Sequence, residues 1–258
     1  MVQLHQGSSC LLVNHELIDL SPIIRVYKNG HVERILRSPH VPPSPEYSTT
    51  GDITISSNLK ISRYCYYPLC RTPTCSRASF SEIYEDSWKV LQLVVSHSDE
   101  NPKMEKEPWL IDHGDFDKIF IGGDSAGGNI ANNVILRAGI EGLNGEVKIL
   151  GMILSFPYFL SSSENRGDCL FSKIWGFVNP SAENGIDDPR IEKPSRLAKL
   201  GCLKILVCIA EKDELRNLGI CYAQAMEKTG KSVEVIDVEG EGHCFQILNP
   251  ESDSQKCD

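Results

Sequence analysis

Long apolar runs are missing from this sequence of 258 residues. The two longest, around 148–160 and 203–210, are shorter than the roughly 20 apolar residues that a transmembrane helix needs. The N-terminus also lacks the charged start and apolar core of a secretory signal. We therefore expect a cytoplasmic protein that does not insert into a membrane.

Paired cysteine motifs are also missing. The ten cysteines are irregularly spaced and include no Cys-x-x-Cys, which disfavours a zinc site, a thioredoxin-like redox centre and a disulfide framework. Their spacing favours small buried thiols in a reducing compartment, and neither a metal nor a cofactor is expected. Basic residues are fewer than acidic ones, 26 against 35, for a net charge of −9. Nucleic acids are not expected as partners, because binding them needs a basic surface.

The chain changes character near residue 84. Before it, the β-rich segments 23–27 and 31–35 flank a Lys-Asn-Gly turn and predict a hairpin. Two more strands are predicted at 52–55 and 61–66, whereas 69–80 has the composition of a loop. We expect one domain over residues 1–258, with N-terminal strands in 1–68, an irregular junction in 69–83 and a catalytic core in 84–258.

Strands and helices alternate through the predicted core. An amphipathic helix is predicted around Trp88, Leu91 and Val95, and a second one at 129–138, ended by Gly139. A third helix is expected after residue 210. The predicted strands are 116–123, 147–154, 203–210 and 232–238. Such alternation is typical of a mostly parallel sheet flanked by helices.

The most specific pattern is a strand, a glycine turn, a serine and then a helix. Residues 123–127 read Gly-Asp-Ser-Ala-Gly, the Gly-x-Ser-x-Gly form of an α/β-hydrolase nucleophile elbow. Gly123 and Gly127 allow the tight turn, Asp124 completes the motif, and Ser125 is lifted above the sheet. The N–H of Ala126 can donate to a developing oxyanion. The alternative is a chance match, which the flanking strand and helix disfavour.

A serine nucleophile needs a base and an orienting carboxylate, in the chain order Ser, Asp or Glu, His. His243 is the only histidine after Ser125, and it lies in a glycine-containing loop after a predicted strand. The alternative is a solvent-exposed loop histidine. Asp213 is the favoured carboxylate because it lies at a strand–helix junction, where sheet enzymes place functional groups. Glu211 and Glu214 remain candidates, and Asp213 could instead cap the following helix.

Several stretches together resemble the plant carboxylesterases, a branch of the hormone-sensitive-lipase-like α/β-hydrolases. They are Gly-Asp-Ser-Ala-Gly-Gly-Asn at 123–129, Tyr-Glu-Asp-Ser-Trp at 84–88, Glu-Lys-Asp-x-Leu-Arg at 211–216, Gly-His-Cys-Phe at 242–245, and the segments 24–34 and 187–191. The resemblance covers nearly the whole chain. It implies an α/β-hydrolase fold and cofactor-free serine chemistry on a small ester of a plant metabolite. The family also includes hydroxyisoflavanone dehydratases and the cyclase-like enzymes of alkaloid pathways.

One feature of that family is missing. Its His-Gly-Gly motif supplies the other half of the oxyanion hole, yet residues 1–122 contain none, and His113-Gly114 is followed by Asp115. By resemblance, 69–80 replaces a strand, the oxyanion loop, a helix and a further strand. We therefore expect an incomplete fold, lacking central strands and the C-terminal helix, with apolar sheet surface exposed. A spliced-out segment and evolutionary divergence both explain the gap, and the irregular composition of 69–80 favours the first.

Three functions follow from these observations. The leading one is a carboxylesterase whose activity is impaired, since losing one oxyanion donor costs about a hundred- to a thousandfold in rate. The second is a lyase of the dehydratase or cyclase type, because the same base can serve proton abstraction. The third is an inactive pseudoenzyme or binding protein. The family's gibberellin receptors lack the catalytic histidine, so His243 disfavours a receptor. The sequence does not define an oligomeric state.

Overall fold

The computed structural model describes residues 16–35, 80–98, 106, 108–144, 147–163, 169–191 and 197–249. The chain divides into two compact units, residues 1–40 and 41–258, and each is described by itself. The strands predicted at 52–55 and 61–66, most of the predicted junction and the C-terminal tail lie outside the described residues. No described helix is long and apolar enough to cross a membrane.

The first unit contains a three-stranded antiparallel sheet. Its strands are β1 (Glu16–Leu20), β2 (Ile24–Tyr27) and β3 (Val32–Arg34), paired in that order. The turn between β2 and β3 places Gly30 at φ 81°, a conformation that glycine adopts without steric cost. The hairpin prediction is confirmed, whereas β1 has no counterpart among the sequence predictions.

The second unit alternates helices and strands, as predicted. Its elements are α1 (Phe80–Ser96), α2 (Pro108–His113), β4 (Ile119–Asp124), α3 (Ala126–Glu141), β5 (Ile149–Ser155), α4 (Leu170–Val178), β6 (Lys204–Ala210), α5 (Arg216–Glu227), β7 (Ser232–Val238) and α6 (Phe245–Leu248). Two short 3₁₀ turns, Gly185–Asp187 and Leu197–Lys199, lie between α4 and β6.

The four strands of this unit form a parallel sheet in the order β4-β5-β6-β7. This arrangement is the α/β-hydrolase architecture that the sequence predicted, a parallel sheet flanked by helices. The carboxyl ends of β4 and β6 therefore lie at the same edge of the sheet, and each is followed by a turn into a helix. Among the described residues, β4 and β7 are the two terminal strands, so one side of each has no strand partner there.

The core lies on one face of this sheet. Met152 and Leu154 of β5 and Val207 of β6 are buried there. They belong to one apolar cluster with side chains of α3 and α5, among them Ile135 and Tyr222. Removing this apolar surface from water is the main favourable contribution to folding of the unit.

The opposite face of the sheet is exposed in the described part of the chain. Phe120, Ile153 and Ile236 are 54%, 40% and 44% exposed. Side chains alternate along a strand, so these residues occupy the face opposite to Met152 and Leu154. An exposed apolar sheet surface was expected from the sequence, where it was attributed to a missing C-terminal helix; that cause stays a prediction.

Two helix boundaries differ from prediction. The helix after the elbow continues past Gly139 and is followed by Gly142 at φ 80°, whose N–H bonds to the carbonyl of Ala138. Gly139 serves close packing instead, because a Cβ there would lie 1.8 Å from the carbonyl oxygen of Lys199. The predicted irregular junction 69–83 is helical from residue 80, because Ile83 is buried against the core.

Candidate active site

Ser125 lies in the sharp turn between β4 and α3. Its backbone adopts φ 51° and ψ −115°, a conformation that a non-glycine residue rarely holds outside strained functional sites. The Ser125 N–H donates to the carbonyl of Ser155 at 2.8 Å. A Cβ at Gly123 would lie 2.4 Å from the backbone carbon of Gly127, so a larger residue at 123 would force the strand and helix apart. The predicted elbow is present.

His243 lies in the loop between β7 and α6, and its imidazole reaches the elbow. Its Nε2 is 2.8 Å from the Oγ of Ser125, although the two residues are 118 positions apart in the chain. The imidazole is 19% exposed. It therefore differs from a solvent-exposed loop histidine, the alternative considered from the sequence.

Asp213 completes a chain of hydrogen bonds. It lies in the turn between β6 and α5 with its side chain 1% exposed. Its Oδ2 is 2.8 Å from Nδ1 of His243, and its Oδ1 accepts from the N–H of Leu215 at 2.9 Å. Glu211 instead accepts from the N–H of Gly240, and Glu214 is exposed. Of the three carboxylates considered, the structure places Asp213 against the imidazole.

Two contacts that the sequence analysis did not identify hold the histidine loop. Nε2 of Gln246, in the first turn of α6, donates to Oδ1 of Asp124 at 3.1 Å, which ties the loop to the elbow. Burial raises the pKa of Asp124. The ring of Phe171 lies 4.7 Å from the imidazole, centre to centre. The sequence offers one signal for this contact, which is that Gln246 follows His243 by three residues.

The oxyanion donor predicted from the sequence is the backbone N–H of Ala126. Ala126 is the first residue of α3, so its N–H has no acceptor within the helix and lies at the positive end of the helix dipole. A second donor from a His-Gly-Gly motif is missing from the sequence. The region where the family would carry that motif lies outside the described residues. Within the part of the chain that is described, no cluster of His, Cys, Asp and Glu side chains could hold a metal ion.

Three of the stretches that carried the resemblance, 84–88, 123–129 and 187–191, meet at the start of α3. Tyr84 donates to Oδ1 of Asn129 at 2.7 Å, and Nδ2 of Asn129 donates to the carbonyls of Tyr158 and Arg190 at 3.1 and 2.7 Å. Arg190 also forms a two-pronged pair with Asp188, and this hydrogen bonding lowers the pKa of Asp188. These motif residues therefore support the start of α3 behind Ser125.

Comparison with known proteins agrees with this architecture. The family model for the α/β-hydrolase fold matches residues 75–247. A solved thermostable esterase from Pseudomonas putida superposes with a TM-score of 0.52 at 20% identity, covering 69% of this chain and 55% of the other. The match therefore spans little more than half of that esterase. It supports the fold alone.

Curated sequences define the branch. A 2-hydroxyisoflavanone dehydratase of Glycyrrhiza echinata is 38% identical over 302 positions, covering 92% of each chain. Probable carboxylesterase 1 of Arabidopsis thaliana is 31% identical, covering 92% of this chain and 93% of the relative. This chain belongs to the plant carboxylesterase branch of the α/β-hydrolases, a family of hydrolases that also contains dehydratases and synthases.

The same alignment bears on the missing segment. Its 302 positions exceed the 258 residues of this chain, so the dehydratase contains stretches without a counterpart here. Such stretches are expected if the oxyanion loop and its flanking strands are absent. Their position between the N-terminal strands and α1 stays a prediction.

Proposed function

We propose that this protein is a serine carboxylesterase acting on a small ester of a plant metabolite. The observation that carries the proposal is the continuous hydrogen-bond chain from Asp213 through His243 to Ser125, with both links at 2.8 Å. This is the arrangement in which a serine hydroxyl is activated for attack on a carbonyl.

The reaction would proceed in two halves. The Oγ of Ser125 attacks the ester carbonyl while Nε2 of His243 takes the hydroxyl proton, and Asp213 accepts a hydrogen bond from Nδ1–H of the imidazolium. The N–H of Ala126 donates to the oxyanion of the tetrahedral intermediate. His243 returns the proton to the departing alcohol, and water then releases the acid from Ser125 by the same steps.

The expected rate is low for an esterase. Ala126 supplies one oxyanion donor, and the loss of a second donor costs about a hundred- to a thousandfold in kcat. We therefore expect slow but measurable turnover.

Hydrolysis of p-nitrophenyl acetate tests the proposal. The purified protein should release nitrophenolate faster than its Ser125→Ala variant. Ser96→Ala, which changes a partly exposed serine at the end of α1, should match the wild type. Equal rates for the wild type and Ser125→Ala would refute the proposal.

A dehydratase function is the second candidate, favoured by the 38% identity to the 2-hydroxyisoflavanone dehydratase. His243 could abstract a proton in such an elimination, and no covalent bond to Ser125 would be needed. Incubation with a 2-hydroxyisoflavanone separates the two functions. Elimination that is lost in His243→Gln but partly kept in Ser125→Ala would favour the dehydratase. Hydrolysis, in contrast, requires both residues.

A further inference from the structure

A small cavity lies beside the nucleophile, between the start of α3 and helix α4. Its volume is about 80 Å³, and it is lined among others by Ala126, Ile130, Tyr158, Ile174, Val178 and Ile191. None of the steps proposed above uses this space.

Two residues that line the cavity, Ala126 and Tyr158, contact or adjoin Ser125 through the backbone. Ala126 follows Ser125 in the chain and is the proposed oxyanion donor. The N–H of Tyr158 donates to the carbonyl of Ser125 at 3.0 Å. The cavity therefore adjoins the residues that hold the backbone of Ser125 on both sides.

The polar side chains around the cavity are engaged with the protein. Tyr84 donates to Asn129, whose amide donates to two backbone carbonyls. Nε1 of Trp175 donates to a backbone carbonyl at 2.8 Å, and the hydroxyl of Tyr158 donates to the carbonyl of Phe171. Burial raises the pKa of Tyr84 and of Tyr158, so both phenols stay neutral.

This chemistry favours an apolar occupant. A polar or charged group loses its hydration on entry, and side chains already hydrogen-bonded within the protein do not replace it. A buried water molecule also needs two to four polar partners. Aliphatic side chains of α3 and α4, in contrast, offer close van der Waals contact to an alkyl group.

We infer that this cavity is the subsite for a short, uncharged alkyl group of the substrate, and that it selects against a charged group. The inference rests on the proposed serine chemistry. The size follows from volume, since about 150 Å³ holds a benzene ring. Half that space fits about three carbon atoms, as in the chain of a butyryl group or in a propyl alcohol.

Turnover of four esters tests the inference. Methyl butyrate places the alkyl group on the acyl side, propyl acetate places it on the alcohol side, methyl acetate lacks it, and monomethyl succinate carries a charge instead. We expect one of the two alkyl esters to exceed methyl acetate in kcat/KM by about tenfold, from the burial of two methylene groups. Which ester does so identifies the side. If methyl butyrate is the preferred ester, monomethyl succinate should fall below it in kcat/KM.

Two variants of α4 provide the matched comparison. Val178→Phe fills the cavity and should bring the alkyl-to-acetate ratio of kcat/KM down toward 1. Gly176→Phe adds the same ring on the same helix, where a Cβ meets no atom within 4 Å, and should keep the wild-type ratio. Val178→Ile, a smaller change, should give an intermediate ratio if Val178→Phe does not fold. An unchanged ratio in the Val178 variants would overturn the inference, and so would equal use of succinate and butyrate where methyl butyrate is the preferred ester.

Binding separates this inference from the proposed function. In Ser125→Ala, which cannot use the serine, the preferred alkyl ester should raise Tm more than methyl acetate does. Adding Val178→Phe should remove the difference. If no ester is turned over but this Tm difference is found, the subsite stands and the esterase proposal fails. If esters are turned over but neither the ratio nor the Tm depends on the cavity, the esterase proposal stands and the subsite fails.

Discussion

Asp213→Asn changes the protonation of the His243 imidazole, the proposed general base, with almost no change in side-chain shape. The two carboxylate oxygens have different partners: Oδ1 accepts from the N–H of Leu215 at 2.9 Å, and Oδ2 faces Nδ1 of His243 at 2.8 Å. An asparagine must direct its carbonyl oxygen toward Leu215, because its NH₂ there would face another donor. The NH₂ group then faces the imidazole.

As a consequence, His243 adopts the tautomer that carries its proton on Nε2 and cannot act as a base toward Ser125. With an NH₂ donor against it, Nδ1 becomes an acceptor and the proton moves to Nε2, which can then no longer take the proton of Ser125. We expect kcat on p-nitrophenyl acetate to fall by about 10⁴, a loss of about 5 kcal/mol in transition-state stabilisation, or to the Ser125→Ala rate if that is reached first. Stability in urea should change by less than about 1 kcal/mol, since each hydrogen bond has a replacement.

Steady-state kinetics and urea unfolding of the same preparations check both parts. Glu214→Gln is the matched control, because it makes the same chemical change at the exposed neighbouring residue and should keep wild-type kcat. A rate for Asp213→Asn within tenfold of the wild type would refute the assigned orientation of the imidazole. A large loss of kcat in Glu214→Gln would make Glu214 a candidate for the orienting carboxylate again.

Three further predictions concern stability. Tyr222→Phe removes the 2.6 Å hydrogen bond to Oδ1 of buried Asn132 and should cost about 1–3 kcal/mol in urea unfolding; no loss would mean that another donor reaches Asn132. The hydrogen bond from Arg190 lowers the pKa of Asp188 below its ordinary 3.8, so the pair stabilises the fold above that value and loses its effect as pH falls through the lower folded pKa. Arg190→Gln should therefore reduce urea stability at neutral pH and flatten its decline below pH 3.8, and parallel wild-type and variant curves would contradict this. Gly139→Ala should lower Tm, since its methyl group would meet a carbonyl oxygen at 1.8 Å and such overpacking costs about 1–3 kcal/mol; an unchanged Tm would show that the neighbouring turn can move.

Three observations fit the prediction that a segment is missing before α1. The sequence lacks His-Gly-Gly, β4 is a terminal strand of the sheet among the described residues, and Phe120 on it is 54% exposed. Each is expected when strands beyond β4 are missing. The elbow depends only on β4, α3 and the turn that joins them, so it can form without those strands, whereas the second oxyanion donor cannot.

Local pattern was enough to predict the parallel strands, the main helices around them and the candidate residues, but not β1, α2, α4 or α6. The four parallel strands and the elbow were predicted within a few positions, because burial and glycine turns leave a short-range signature in sequence. The identities of Ser125 and His243 followed from the motif and from the order of residues along the chain. The end of α3 was misplaced at Gly139, since sequence does not distinguish a glycine that ends a helix from one that allows close packing.

Tertiary structure decided what depends on distance. It selected Asp213 over Glu211 and Glu214, because the turn after β6 directs only that side chain at the imidazole. It also revealed the contact between Gln246 and Asp124, 122 positions apart, and the apolar cavity beside Ser125. The spacing of apolar residues and the types of turn residue predict the local backbone conformation. Contacts between residues far apart in the chain form only when the folded sheet brings distant loops to one edge.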